Sequence, residues 1–109
     1  MMTSQRQKPI KFVRVYLSEG DKHNNHNLMQ EIFRRLHDEH KIHGVTVFRG
    51  IAGFGRHGQV HSADLLRVNV NLPLVVEFFD DPEAVDEALE WLQEEVPPGH
   101  IVVWDGSRL

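Results

Sequence analysis

Apolar and polar positions alternate from Ile10 to Ser18, with Val13, Val15 and Leu17 set against Arg14 and Tyr16, which predicts a strand with one apolar face. Asn27 followed three residues later by Gln30 resembles a capping box. Behind it, Leu28, Met29, Ile32, Phe33 and Leu36 recur at helical spacing, predicting a helix that reaches about Lys41 and is closed by Gly44. A β-branched run follows at once in Val45, Thr46 and Val47. Leu66, Val68 and Val70 alternate with polar residues, a short extended run able to pair or to stay a loop. Leu74 to Phe79 is nearly all apolar, as a strand covered on both faces should be. Asp81-Pro82-Glu83 supplies a cap, a first-turn proline and a first-turn acid for a second helix, with Ala84, Val85, Ala88, Leu89 and Leu92 as its stripe. Pro97-Pro98-Gly99 ends that helix, and Ile101 to Trp104 makes a last strand. The order is β-α-β-β-α-β, an α+β, ferredoxin-like antiparallel sheet with both helices on one face.

The helices leave the other sheet face bare. Some of Phe48, Phe78, Phe79 and Trp104 must point to it, and a large apolar face on a small domain marks an interface.

The stretch Gly44 to Gly58 passes from the β-branched run into a loop with five glycines in fifteen positions. Gly53, Gly55 and Gly58 permit positive φ and a close backbone approach to a ligand. Successive N–H groups of such a loop form an anion-binding concavity, and Arg56 adds a fixed charge. The order Gly44, apolar, Thr46, Val47, then Gly53-Phe54-Gly55-Arg56 resembles the signature of the nitrogen-regulatory PII proteins. Leu72-Pro73-Leu74-Val75-Val76-Glu77 and the helix behind it resemble the PII strand that follows its long loop. The run Arg49-Gly50-Ile51-Ala52-Gly53-Phe54-Gly55 ahead of Val60-His61-Ser62-Ala63-Asp64 is closer still to a PII-like family, domain of unknown function 190.

The resemblance implies a homotrimer with ligand clefts between subunits, and ATP, ADP or AMP, or a similar small anion, as effector. It implies that Gly53, Phe54, Gly55 and Arg56 wrap the phosphates, with Thr46 nearer the base or ribose. A mobile loop would then signal to a membrane transport or regulatory target protein. The chain departs from PII in four places. One extra residue between Gly44 and Gly53 suggests a bulge, His57 stands where PII has glutamine, the loop has no tyrosine, and Pro97-Pro98-Gly99-His100 replaces the second phosphate-binding turn.

Composition narrows the alternatives. The 109 residues, 40% hydrophobic, suit a single domain over 1–109, with residues 1–9 as a flexible tail and no apolar leader behind them, hence a cytoplasmic location. A net charge of −4 argues against nucleic acid as a partner, and the lack of cysteine excludes disulfides and thiolate metal sites. Of eight histidines, His37 and His40 lie one helical turn apart and are the candidate metal ligands, while His57 and His61 flank Arg56 as possible further ligand contacts. The copper-tolerance CutA proteins, also PII-like in fold, keep a metal-binding trimer as one alternative; a structural adaptor is the other. No nucleophile elbow or Walker loop is present, and an acid-base pair of His57 with Asp64 or Glu77 would need the fold to join them, so no enzyme is expected and no cofactor is expected to be tightly bound.

Overall fold

The computed structural model describes residues 7–54, 60–62 and 71–109. Their elements are β1 (Lys8–Ser18), β2 (Lys22–His23), β3 (His26–Asn27), α1 (Leu28–Asp38), β4 (Val45–Arg49), β5 (Ala52–Phe54), β6 (Val60–Ser62), β7 (Pro73–Asp80), α2 (Pro82–Glu95) and β8 (Ile101–Arg108). The main sheet runs β4-β7-β1-β8 with antiparallel neighbours throughout, which is the split β-α-β order of a ferredoxin-like fold. β1 begins at Lys8, inside the stretch read as a tail, and β8 runs four residues beyond Trp104. The Leu66–Val70 run lies outside the described residues.

Period-two alternation sorts the strands onto two faces. Val13, Val15 and Leu17 of β1 and Leu74, Val76 and Phe78 of β7 point to the helices, where Ile32, Leu36, Val85, Ala88 and Leu92 cover them completely or nearly so. Phe78 is therefore core. The opposite face carries Phe12, Arg14 and Tyr16, opposed by Phe79, Glu77 and Val75. Phe12 stacks on Trp104 at 5.2 Å between ring centres and meets Phe79 at 4.9 Å, an aromatic row across three strands. Phe48, Phe79, Trp104 and Tyr16 remain 39–48% exposed. The apolar run of β7 is thus covered by helices on one side only.

Asn27 caps α1, its side chain accepting from the Gln30 backbone N–H at 3.0 Å. α1 stops at Asp38, short of the expected Lys41. Gly44 does not close it. Lys41 takes the left-handed conformation, with φ 53°, and the Ile42 N–H returns to the Leu36 carbonyl, the closure that glycine commonly makes. Asp81 is the N-cap residue of α2, yet its side chain makes no capping bond and instead receives Arg108 at 2.7 Å.

Gly50 and Gly53 are set by packing. A Cβ on Gly50 would lie 2.7 Å from Pro73 Cγ, and one on Gly53 3.1 Å from the same atom, so the chain folds closely over the Pro73 ring. Gly50→Ala is expected to cost about 1–3 kcal/mol through overpacking. Gly44→Ala, with nothing within 4 Å of its Cβ, is expected to be close to neutral. Urea midpoints of the two variants check the contrast.

Candidate functional site

The glycine-rich segment opens beside a cavity of about 420 Å³. β4 ends at Arg49, the Gly50 N–H bonds the Pro73 carbonyl at 2.8 Å, and the chain bends at Ile51 before resuming as β5. The break falls where an extra residue suggests a bulge. β5 then pairs with β6, Gly53 opposite His61 and Phe54 opposite Val60, so Gly53 and Phe54 belong to a two-stranded arm and not to a turn. The one glycine with positive φ among the described residues is Gly99, which removes the conformational reason for glycine at 53 and leaves its contact with Pro73.

Gly53 and Phe54 form one wall of the cavity, with Pro73 and Leu74 from the start of β7, and Tyr16 and Ser18 from the end of β1. Asp21 and His100 complete it. Phe54 is 75% exposed, a flat apolar surface at the mouth. Asp21 accepts from the Ser18 N–H at 2.8 Å. His100 donates Nδ1–H to the Tyr16 carbonyl at 2.9 Å, while the Tyr16 N–H bonds the His100 carbonyl, also at 2.9 Å. That pairing fixes the tautomer, leaving the lone pair of the neutral ring on Nε2.

Glu19, between the lining residues Ser18 and Asp21, ties the neighbouring chain segments together. Its carboxylate accepts from the Leu72 N–H at 3.0 Å and from Arg49 at 2.9 Å, and the Leu72 bond, outweighing some desolvation, holds its pKa below the usual carboxylate range. Gly20 N–H donates to Asn71 at 2.6 Å on the same side. Residues 18–21 therefore join the ends of β1 and β4 to the segment leading into β7. Arg49, at the end of β4, is matched by Glu19.

The other expected site residues fall as follows. Gly55, Arg56 and His57 lie outside the described residues, and of His61 only its place in β6 is described. Thr46 is exposed on the open sheet face opposite Glu77, beside the Arg14–Glu77 ion pair at 2.9 Å, and not in the wall of the cavity. His57 and Asp64 being undescribed, the acid-base pair reduces to Glu77, which is engaged by Arg14. His37 sits 2.7 Å from Asp38, while His40 Nε2 is buried without a partner and its ring lies 5.8 Å from that of Trp91. Among the described residues no three histidine or acidic side chains come together as a metal site.

The sequence does not mark Asp21 or His100 as cavity residues. His100 follows the Pro97-Pro98-Gly99 turn that stands in place of the second phosphate-binding turn, and Asp21 stands in the polar run between β1 and α1. Neither has a local spacing signal, because the cavity is assembled from chain ends brought together by the sheet.

Comparison with known proteins agrees with the fold. The family model of domain of unknown function 190, described as Uncharacterized ACR, matches residues 10–107. A UPF0166 protein of Methanocaldococcus jannaschii is 34% identical over 93 residues, covering 85% of this chain and 84% of the relative. Another, from Aquifex aeolicus, is 31% identical over 80 residues, with 73% and 75% covered. In structure the chain is similar to CPII of Thiomonas intermedia K12, a nitrogen regulatory PII-like protein solved bound to ADP, AMP and bicarbonate, with TM-score 0.64, 19% identity, and 94% and 90% of the two chains covered. It is also similar to the CutA1 divalent ion tolerance protein of Ehrlichia chaffeensis, with TM-score 0.55, 12% identity, and 91% and 80% covered. The fold is PII-like.

Proposed function

The chain belongs to the family of domain of unknown function 190, and on that premise we propose that it is a small regulatory domain, not an enzyme, that binds an adenine nucleotide at a cleft between subunits. The observation that carries the reading is the placement of Gly53 and Phe54 in the wall of a cavity of about 420 Å³ at the root of the glycine-rich loop, in a fold shared with ADP-bound CPII. The wall supplies aromatic and proline surface, the hydrogen-bonding side chains of Tyr16, Ser18, Asp21 and His100 and, among the described residues, no lysine or arginine, which suits a base and sugar. Phosphates would then lie toward Gly55, Arg56 and His57, and His61 would reach them only from the paired arm. Thr46 does not line this cavity, although it shares the open sheet face with Tyr16, so it joins a nucleotide site only when a neighbouring subunit covers that face. A trimer packed through that face meets the requirement and removes the aromatic row from water. Binding would order the loop beyond Phe54 and change the surface it offers a target protein.

Calorimetric titration with ADP, AMP and ATP tests the reading. The parent is expected to bind at least one of them. Arg56→Ala should weaken binding by about 1.5–3 kcal/mol, the range for a hydrogen bond to a charged group, or roughly ten- to hundredfold. Absence of binding to all three nucleotides, or unchanged affinity in the variant, counts against the site.

A further inference from the structure

We propose that His43 is a site of covalent phosphorylation, its Nε2 taking the phosphoryl group of a small phosphoramidate or acyl phosphate donor. The site lies in the loop between α1 and β4 and stands apart from the nucleotide reading. His43 Nδ1 lies 3.0 Å from Asp80 Oδ2, and the same oxygen accepts the His43 backbone N–H at 3.0 Å. Asp80 Oδ1 accepts the Asp81 N–H at 2.7 Å. With its side chain 3% exposed, Asp80 is a buried, fully engaged carboxylate, whereas the His43 side chain is 79% exposed.

Burial alone would raise the Asp80 pKa, but the backbone N–H groups of His43 and Asp81 and the His43 ring outweigh it and hold it below the usual range. An anionic acceptor requires the proton on Nδ1. The lone pair is therefore on Nε2, and among the described residues no hydrogen bond engages that atom.

The other histidines whose side chains are described lack this combination. His23 Nε2 is held by Glu95 at 2.7 Å, His100 Nδ1 bonds a carbonyl, His40 Nε2 is buried, and exposed His26 has no hydrogen-bonded carboxylate among the described residues. His37 is 78% exposed, but its partner Asp38 is itself 52% exposed and hydrated. A metal role for His43 has no support, since no second and third ligand accompany it among the described residues.

In the proposed step the Nε2 lone pair attacks phosphorus. An N–P bond forms as the P–N bond of the phosphoramidate breaks, and ammonia leaves. The ring enters neutral and becomes a phosphoimidazolium that keeps its Nδ1 proton. Its positive charge then lies against the buried Asp80 carboxylate, as the imidazolium of a catalytic triad lies against its aspartate.

The experiment incubates the intact protein with potassium phosphoramidate at neutral pH and follows labelling by phosphorus NMR and peptide mapping. His43 should label about tenfold faster than His37, and on Nε2 alone, because a carboxylate that accepts Nδ1–H fixes the ring's orientation and raises the basicity of Nε2. Asp80→Asn should bring the His43 rate down to that of His37 and allow both ring isomers. If that variant does not fold, the ratio in the parent decides, because it compares two equally exposed rings that differ in their carboxylates. Equal rates in the parent, or attachment through Nδ1 of His43, overturns the proposal.

Discussion

Phe12→Glu is expected to convert the proposed trimer to single chains while leaving each chain folded. Phe12 sits on β1 between β7 and β8, and its ring is the middle member of the row formed with Phe79 and Trp104. In a lone chain the position looks out from the sheet, so a carboxylate there stays hydrated. Within a packed interface it would be desolvated in every subunit, at a cost of several kcal/mol per charge, and the stacking would be lost as well. Together these exceed what a small interface can spare. The adjacent position supplies the control. Val13 is 0% exposed and faces the helices, so Val13→Glu should unfold the chain itself. Light scattering and circular dichroism on the two variants separate the outcomes. A Phe12→Glu protein that keeps the parent mass would show that the aromatic row is not the interface.

Asp80→Ala is expected to lower stability by about 2–4 kcal/mol. The carboxylate is the shared acceptor for the backbone N–H groups of His43 and Asp81 and for the His43 ring, and its removal leaves partly buried donors without partners. It also cuts the link between the loop that starts β4 and the end of β7. The sign of the pH response follows from the lowered pKa of Asp80 in the folded chain. The unfolded chain binds that proton first as acid is added, so the stabilisation is fully present above the usual carboxylate range and fades as pH falls through that range toward the lower folded-state value. The gap between parent and variant in urea midpoint should therefore be constant from pH 7 to pH 5 and narrow under stronger acid. A gap that grows on acidification would contradict the assignment.

Most of the sheet could be read from residue pattern because its signals are local. Val13, Val15 and Leu17 alternate with polar partners, and Asn27 stands one turn before Gln30, so strand and cap announce themselves over a few positions. Leu74 to Phe79 was harder. A run apolar at nearly every position hides its own parity, and only the register with β1 separates buried Phe78 from exposed Phe79. Gly53 was legible as special but for another reason than the one found, since a glycine required by a neighbouring ring looks the same in sequence as one required by positive φ. The Asp80–His43 link and the Asp21–His100 cavity were not legible at all. Each joins residues far apart in the chain, and neither partner carries a mark of the other.

The central strand has a consequence for the order in which the protein is made. Both neighbours of β1 come from the later part of the chain: Ser18 lies opposite Pro73, and Lys8 opposite Arg108. Until β7 has left the ribosome, Val13, Val15 and Leu17 have no strand to pair with, and the sheet is complete only after β8 has followed. α1 can form early from its own cap, but it has no finished surface on which to settle. Such long-range pairing slows folding and delays completion of the sheet until β8 has been made. During that interval β1 is an unpaired apolar strand, and the nascent chain depends on prompt completion or on a chaperone to keep it from pairing with other chains.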